Sequence, residues 1–187
     1  MTPLENLPGW WHYRQKISFG GVLREIDFFH NGSLVGQAKL VVFHTAKERD
    51  PLWALCEHGD IACVMDEVDT YLRDHPGGYV WLDRVQRLSE HHPVKGNITR
   101  ALREVLEPVT LGVPAHYRGL LFPCPYGSGD IPESEQRQRL RQWYEKALGA
   151  KALDGVSLME FALPPASMLA DSKASYPSQR LDQAAVH

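Results

Sequence analysis

The sequence predicts a mixed α/β fold in which helices flank a central, mostly antiparallel sheet. A hairpin signal in the first half is followed by alternating strand-like and helical segments, a succession typical of helices packed on the faces of a mixed sheet. The chain has 187 residues, of which 43% are hydrophobic, which suits one buried core better than two domains. We therefore expect one domain over residues 1–163 and a flexible C-terminal tail over 164–187.

The strands of the first half surround a tight turn. Residues 11–19 are rich in aromatic and β-branched side chains and are predicted to form a strand that ends at Gly20-Gly21. Two more strand-like runs, 23–30 and 34–43, are joined around Asn31-Gly32. This pair suits the positive φ angles of a tight turn, so we predict an antiparallel hairpin.

Helical and strand-like patterns alternate in the rest of the chain. Apolar residues at helical spacing predict helices over 61–75, from the loop end at Gly96 to Pro108, and over 134–148, with Gly149 as the last cap. Strands are predicted over 79–88, 117–124 and 156–163. The strand 79–88 carries charges at Asp83, Arg84 and Arg87, which require an explanation.

Composition excludes several classes of protein. The net charge is −3 and Lys and Arg are dispersed, so tight nonspecific binding to nucleic acid is not implied. No apolar stretch approaches the roughly 20 residues that cross a bilayer, and the N-terminus lacks the pattern of a secretory signal. Three irregularly spaced cysteines do not suggest a disulfide framework. We expect a cytoplasmic protein with no membrane partner.

Motifs for metal, nucleophilic and nucleotide chemistry are weak. Cys56, His58 and Cys63 lie close together, with His44 and Cys124 as more distant candidates, but the spacing matches no strong zinc pattern. The chain has neither a Gly-x-Ser-x-Gly elbow nor a phosphate-loop signature. We therefore predict no metal site and no nucleophilic hydrolase.

Two segments of the second half carry a family resemblance. They are Val94-Lys95-Gly96-Asn97-Ile98-Thr99-Arg100-Ala101-Leu102 and Leu140-Arg141-Gln142-Trp143-Tyr144-Glu145-Lys146-Ala147-Leu148-Gly149-Ala150. The first resembles the pyrophosphate-binding turn Arg-Gly-x-Gly-Ile-Gly-x-Ala-Leu of the GNAT superfamily of acetyl-CoA-dependent N-acetyltransferases. The second is similar to that family's late helix, with its aromatic and Tyr-Glu-Lys. Val94, Asn97 and Thr99 depart from the usual turn, so the chain resembles a divergent member.

The resemblance implies a GNAT-like splayed sheet and direct transfer of an acetyl group from acetyl-CoA, as cosubstrate, to a primary amine. The cofactor would lie between the central strand and strand 117–124. Tyr144 would be the general acid that protonates the departing thiolate, and Asp83 is the candidate base, with Glu90, His91 and His92 as competitors. The expected cofactor-binding residues are Leu88, Ser89, Val94, Lys95, Gly96, Asn97, Ile98, Thr99 and Arg100.

Each assignment has a structural alternative. The turn before the second helix is also consistent with an ordinary N-cap at Asn97 or Thr99. Tyr144 could simply pack on the sheet beside Trp143, and Asp83 could pair with Arg84 or Arg87 on a solvated strand face.

The partner also stays open. The acceptor is an amine of unknown identity, which we expect to approach from the side of the hairpin, helix 61–75 and loop 125–132. A protein side chain or a modified nucleobase is compatible with the same chemistry, so nucleic acid is not excluded. A homodimer is allowed. The rival hypothesis is a noncatalytic GNAT-like binding module.

Overall fold

The computed structural model describes residues 1–44, 61–75, 77–88, 96–114, 116–125 and 131–164, with eight strands and three helices among them. The strands are β1 (Thr2–Pro3), β2 (Trp11–Ser18), β3 (Leu23–His30), β4 (Ser33–Phe43), β5 (Tyr79–Arg87), β6 (Arg118–Leu121), β7 (Lys151–Ala152) and β8 (Met159–Phe161). The helices are α1 (Ile61–Asp74), α2 (Asn97–Val109) and α3 (Glu133–Leu148).

All eight strands belong to one sheet, in the order β1-β2-β3-β4-β5-β6-β8-β7. Neighbouring strands are antiparallel except β5 and β6, which run parallel and are connected through α2. A parallel pair needs a crossover of this kind because its second strand must start again at the same edge of the sheet. The predicted mixed α and β architecture with a mostly antiparallel sheet is confirmed.

The hairpin prediction is also confirmed. β3 and β4 pair in antiparallel register, and the turn between them has φ angles of 49° at Asn31 and 80° at Gly32. Left-handed angles at both turn residues match the twist of the flanking strands, which explains why this dipeptide identified the hairpin.

Helices cover both faces of the sheet. α2 lies on one face, where Ile98, Leu102 and Val105 join a cluster with Leu40 and Leu82. Tyr144 and Ala150, at the end of α3, belong to the same cluster. Arg103 of α2 donates to the carbonyl groups of Lys146 and Ala147, so the two helices are fastened together. On the other face, Val64, Val68 and Tyr71 of α1 pack against Phe43 and Trp81.

The structure corrects several element boundaries. β6 ends at Leu121 rather than Cys124, and the amide of Cys124 bonds locally to the Phe122 carbonyl at 2.8 Å. β8 begins at Met159 rather than Val156, because the amide of Ser157 donates to Glu67 Oε2 at 2.5 Å. α2 includes Pro108 in its last turn. The short strands β1 and β7 were not predicted. The predicted tail beyond residue 164 lies outside the described residues.

Gly119 of β6 should tolerate no side chain. A Cβ atom there would overlap the ring of Phe161, which is 1% exposed and cannot move aside. We expect Gly119→Ala to lower the free energy of unfolding by about 1–3 kcal/mol, measured by urea denaturation. Gly77→Ala is the control, since nothing lies within 4 Å of its Cβ position. Equal effects of the two substitutions would contradict the packing.

A buried polar group holds α1 against the sheet. The Tyr71 hydroxyl donates to Glu160 Oε2 at 2.5 Å, and Arg118 Nη1 donates to both carboxylate oxygens of Glu160 at 2.9 Å. Burial of the phenol and its hydrogen bond to Glu160 raise the pKa of Tyr71 from 10.0 to about 12.

This raised pKa predicts a loss of stability in alkali. Below pH 10 the phenol is protonated in both the folded and the unfolded chain, so its hydrogen bond contributes fully to the free energy of unfolding. As the pH rises from 10 towards 12, the unfolded chain releases the proton while the folded chain retains it, which favours unfolding. Tyr71→Phe should therefore be less stable at pH 8 but lose less stability between pH 8 and about 11, measured by denaturant unfolding. Parallel pH curves for the two proteins would refute this.

Candidate active site

A cleft opens where β5 and β6 diverge. Their pairing ends at Leu82 and Leu121, whereas β5 continues to Arg87 and stays paired with β4 on its other side. The cleft has a volume of about 430 Å3, within the usual range for small-molecule sites. Its described lining is Asp83, Arg84, Val85, Gln86, Arg87, Phe122, Cys124, Leu140 and Tyr144. The two candidate catalytic residues, Asp83 and Tyr144, are therefore brought together.

Asp83 lies at an irregularity in β5. Lys39 of β4 pairs with Arg84, and Leu40 pairs with Leu82, so Asp83 is the extra residue of a β-bulge. Bulges bend a strand and redirect its side chains. The bulge therefore marks the point at which β5 leaves β6.

The Asp83 carboxylate is buried in an ion pair. Its side chain is 0% exposed, and its Oδ2 atom lies 3.9 Å from Nζ of Lys39, whose side chain is 8% exposed. The alternative of a charge on a solvated strand face is wrong. Burial of an ion pair costs free energy unless good geometry and further hydrogen bonds compensate for the lost hydration. Because such a pair adds little stability, its presence is a reason to consider a functional role.

Tyr144 also lines the cleft. It lies on α3, is 8% exposed, and packs edge-on against Trp143 with ring centroids 4.8 Å apart. Burial, followed by the neighbouring Cys124, raises the pKa of Tyr144 well above its usual range. Its hydroxyl makes no hydrogen bond to the part of the chain that the structure describes. The phenol thus keeps its proton at neutral pH and can donate it to a ligand.

The predicted pyrophosphate turn begins α2. Gly96 is the N-cap, with φ of 90°, and no side chain of the described residues caps this end. The alternative of an N-cap at Asn97 or Thr99 is therefore wrong. A helix N-terminus without a cap from the described side chains suits an anion, because its first backbone N–H groups lie at the positive helix end.

The side chains of this turn serve different purposes. Ile98 packs on Gly36, and Thr99 Oγ1 accepts a hydrogen bond from Trp143 Nε1 at 3.0 Å. Arg100 donates to the backbone carbonyl of Asn6. None of the described turn residues, 96–100, lines the cleft, but the bond between Trp143 and Thr99 connects the first turn of α2 to the residue beside Tyr144.

The remaining predicted residues are only partly placed. Leu88 follows β5 and is 40% exposed, whereas Ser89, Val94 and Lys95 lie outside the described residues, as do the competing bases Glu90, His91 and His92. Cys56 and His58 are also outside them, and the described side chains form no group of three or more metal ligands.

Sequence reasoning missed Lys39 and Cys124 as parts of this site. Lys39 stands in the strand-like run 34–43, among apolar residues, and a charge in such a run could have signalled a buried ion pair. Cys124 was considered only as a metal ligand, and its position beside Tyr144 depends on the approach of α3 to the end of β6.

Comparison of the chain with protein-family models, with curated proteins and with solved structures gives no match. Among the described helices, none has the length and apolar character that spanning a bilayer requires.

The ion pair should appear as a coupling energy. Asp83→Asn and Lys39→Met each leave a buried partner behind, so each should destabilise the fold, whereas the double variant should lose less than the sum. We expect a coupling of about 1–3 kcal/mol from the four unfolding free energies. Additive effects would show that the two charges do not interact.

Proposed function

We propose that this protein is a GNAT-like acyltransferase that moves an acetyl group from acetyl-CoA to an amine. The observation that carries the proposal is that Tyr144, whose hydroxyl is protonated and makes no bond to the described protein, lines the same cleft as Asp83. An acid and a base in one cleft are the groups that aminolysis of a thioester requires.

The cleft suits an extended ligand that carries amide groups. β6 pairs with β5 only as far as Leu82, so the edge of residues 83–87 that faces the cleft has no strand beside it in the described structure. A pantetheine arm, with its two amides, could add to this edge as a peptide strand does. The N-terminus of α2 would then receive the pyrophosphate.

The proposed reaction uses Asp83 as the base and Tyr144 as the acid. The amine nitrogen attacks the thioester carbonyl carbon, and Asp83, directly or through water, accepts the proton that the nitrogen loses. The C–S bond breaks as the carbonyl re-forms, and Tyr144 donates its proton to the departing sulfur. The products are an N-acetyl amine and the coenzyme A thiol. Asp83 then releases the proton that it accepted to solvent, and Tyr144 regains one from solvent.

The noncatalytic module is the second candidate. It is favoured by the engagement of Thr99 with Trp143 and of Arg100 with Asn6, since these two side chains of the predicted pyrophosphate turn bind the protein itself. It differs from the transferase in one respect that can be measured directly, namely that it does not bind coenzyme A.

Calorimetric titration distinguishes the two candidates. We expect saturable binding of acetyl-CoA and of free coenzyme A, with an adenine nucleotide binding more weakly because it lacks the pantetheine arm. No binding of acetyl-CoA at millimolar concentration would reject the transferase and leave the noncatalytic module.

Tyr144→Phe tests the acid. Because the hydroxyl has no partner in the described protein, its removal should change the free energy of unfolding by less than about 0.5 kcal/mol and leave acetyl-CoA affinity nearly unchanged. Turnover should fall by about 100-fold or more, as expected for the loss of a general acid. Tyr13→Phe is the control, since Tyr13 is equally buried but does not line the cleft. Wild-type turnover in Tyr144→Phe would remove Tyr144 from the mechanism.

A further inference from the structure

A cysteine lies beside the candidate acid in the cleft. Cys124 and Tyr144 both line it, together with the edge of β5. Burial and then the neighbouring thiol of Cys124 raise the pKa of Tyr144, so the thiol and the phenol are close to each other. Cys124 is half-buried and is not joined in a disulfide. The cleft therefore contains a thiol as well as the two groups of the proposed reaction.

Local backbone structure holds Cys124 just beyond the end of β6. It stands between Pro123 and Pro125, and its amide donates to the carbonyl of Phe122 at 2.8 Å. Because a proline fixes its own φ angle and restricts the residue before it, this segment has little freedom to withdraw the thiol from the cleft. The thiol donates over 3.9 Å to the carbonyl of Pro125, a weak bond that a reaction at sulfur can replace.

The neighbouring phenol indicates a ligand at the same place. Tyr144 is 8% exposed, yet its hydroxyl makes no hydrogen bond to the described protein. Such a hydroxyl has a hydrogen bond to donate, and a ligand or water in the cleft must receive it. In the proposed transferase the receiving atom is the sulfur of coenzyme A, which Tyr144 protonates. The sulfur of the coenzyme and that of Cys124 would then lie beside the same hydroxyl.

From this juxtaposition we propose that Cys124 is a modification site, at which a disulfide of coenzyme A exchanges to form a mixed disulfide between the coenzyme and the protein. The inference rests on the proposed transferase function, because it requires coenzyme A to lie in the cleft with its sulfur beside Tyr144. A disulfide held there reacts faster than one that meets the thiol only by collision. The mixed disulfide fills the cleft and stops acetyl transfer until a thiol reduces it.

The exchange is balanced without a further oxidant. The thiol of Cys124 loses its proton to solvent, and the resulting thiolate attacks one sulfur of the coenzyme A disulfide. A sulfur–sulfur bond to Cys124 forms as that of the reagent breaks, so Cys124 is oxidised and one coenzyme A is reduced. The departing thiolate takes up a proton from solvent. A free thiol reverses the exchange by the same steps.

Mass spectrometry of the full chain tests the inference. The reduced protein is freed of reductant and exposed to coenzyme A disulfide or, at the same concentration, to glutathione disulfide, which lacks the pantetheine arm. Peptide mapping should locate coenzyme A on Cys124, attached about tenfold or more faster than glutathione. Desulfo-coenzyme A, which has no thiol, should slow the modification by occupying the cleft, and dithiothreitol should remove it.

Three outcomes would overturn the inference: equal rates with the two disulfides, coenzyme A located on Cys56 or Cys63 instead, or a rate that desulfo-coenzyme A does not lower. Cys124→Ser is the matched variant, since it retains the other two cysteines and should lose the fast modification. Calorimetry with acetyl-CoA separates the two proposals. If acetyl-CoA binds and Cys124 is not modified preferentially, the transferase proposal stands and this inference falls, and if acetyl-CoA does not bind, both fall.

Discussion

The divergence of β5 from β6 is the constraint on which the candidate site depends. The two strands pair in parallel over four residues each and then separate, while β5 continues against β4 as far as Arg87. The crossover through α2 places β6 parallel to β5, so that the carboxyl ends of both strands lie at the same edge of the sheet. The gap lies at this edge. The bulge at Asp83 lies at the point of separation. Among the described residues, the separation of the two strands opens the cleft, and Phe122 and Cys124 beyond β6 contribute to its lining.

The charges near the cleft are explained by the same geometry. The bulge directs the side chain of Asp83 into the interior. There its negative charge is balanced by Lys39, whose Nζ atom lies 3.9 Å from Oδ2 of Asp83. Desolvation makes such a pair a poor source of stability, and in the proposed transferase its carboxylate would serve as the base. Tyr144 reaches the cleft from α3, and the hydrogen bond from Trp143 to Thr99 keeps that helix against the first turn of α2. Tyr144 and the N-terminus of α2 are thus linked through this contact.

Local patterns predicted the elements whose signals are local. The turn at Asn31-Gly32, the stripe of α2 and the C-cap at Gly149 each depend on neighbouring residues, and the sequence located them. The start of β8 depends on a contact with a distant residue, that of Ser157 with Glu67, which no local pattern contains. The proximity of Tyr144 and Asp83 followed from the resemblance, whereas the bulge and the pairing with Lys39 required the register of β4 against β5.

Amide hydrogen exchange with and without acetyl-CoA tests the central claim most directly. If the ligand lies along the open edge of β5, exchange should slow in residues 83–88 and in the first turn of α2, while residues 23–30 of the hairpin serve as the unaffected reference. Saturable binding of acetyl-CoA with unchanged exchange in residues 83–88 would contradict the account, because the ligand would then occupy a site other than the cleft between β5 and β6.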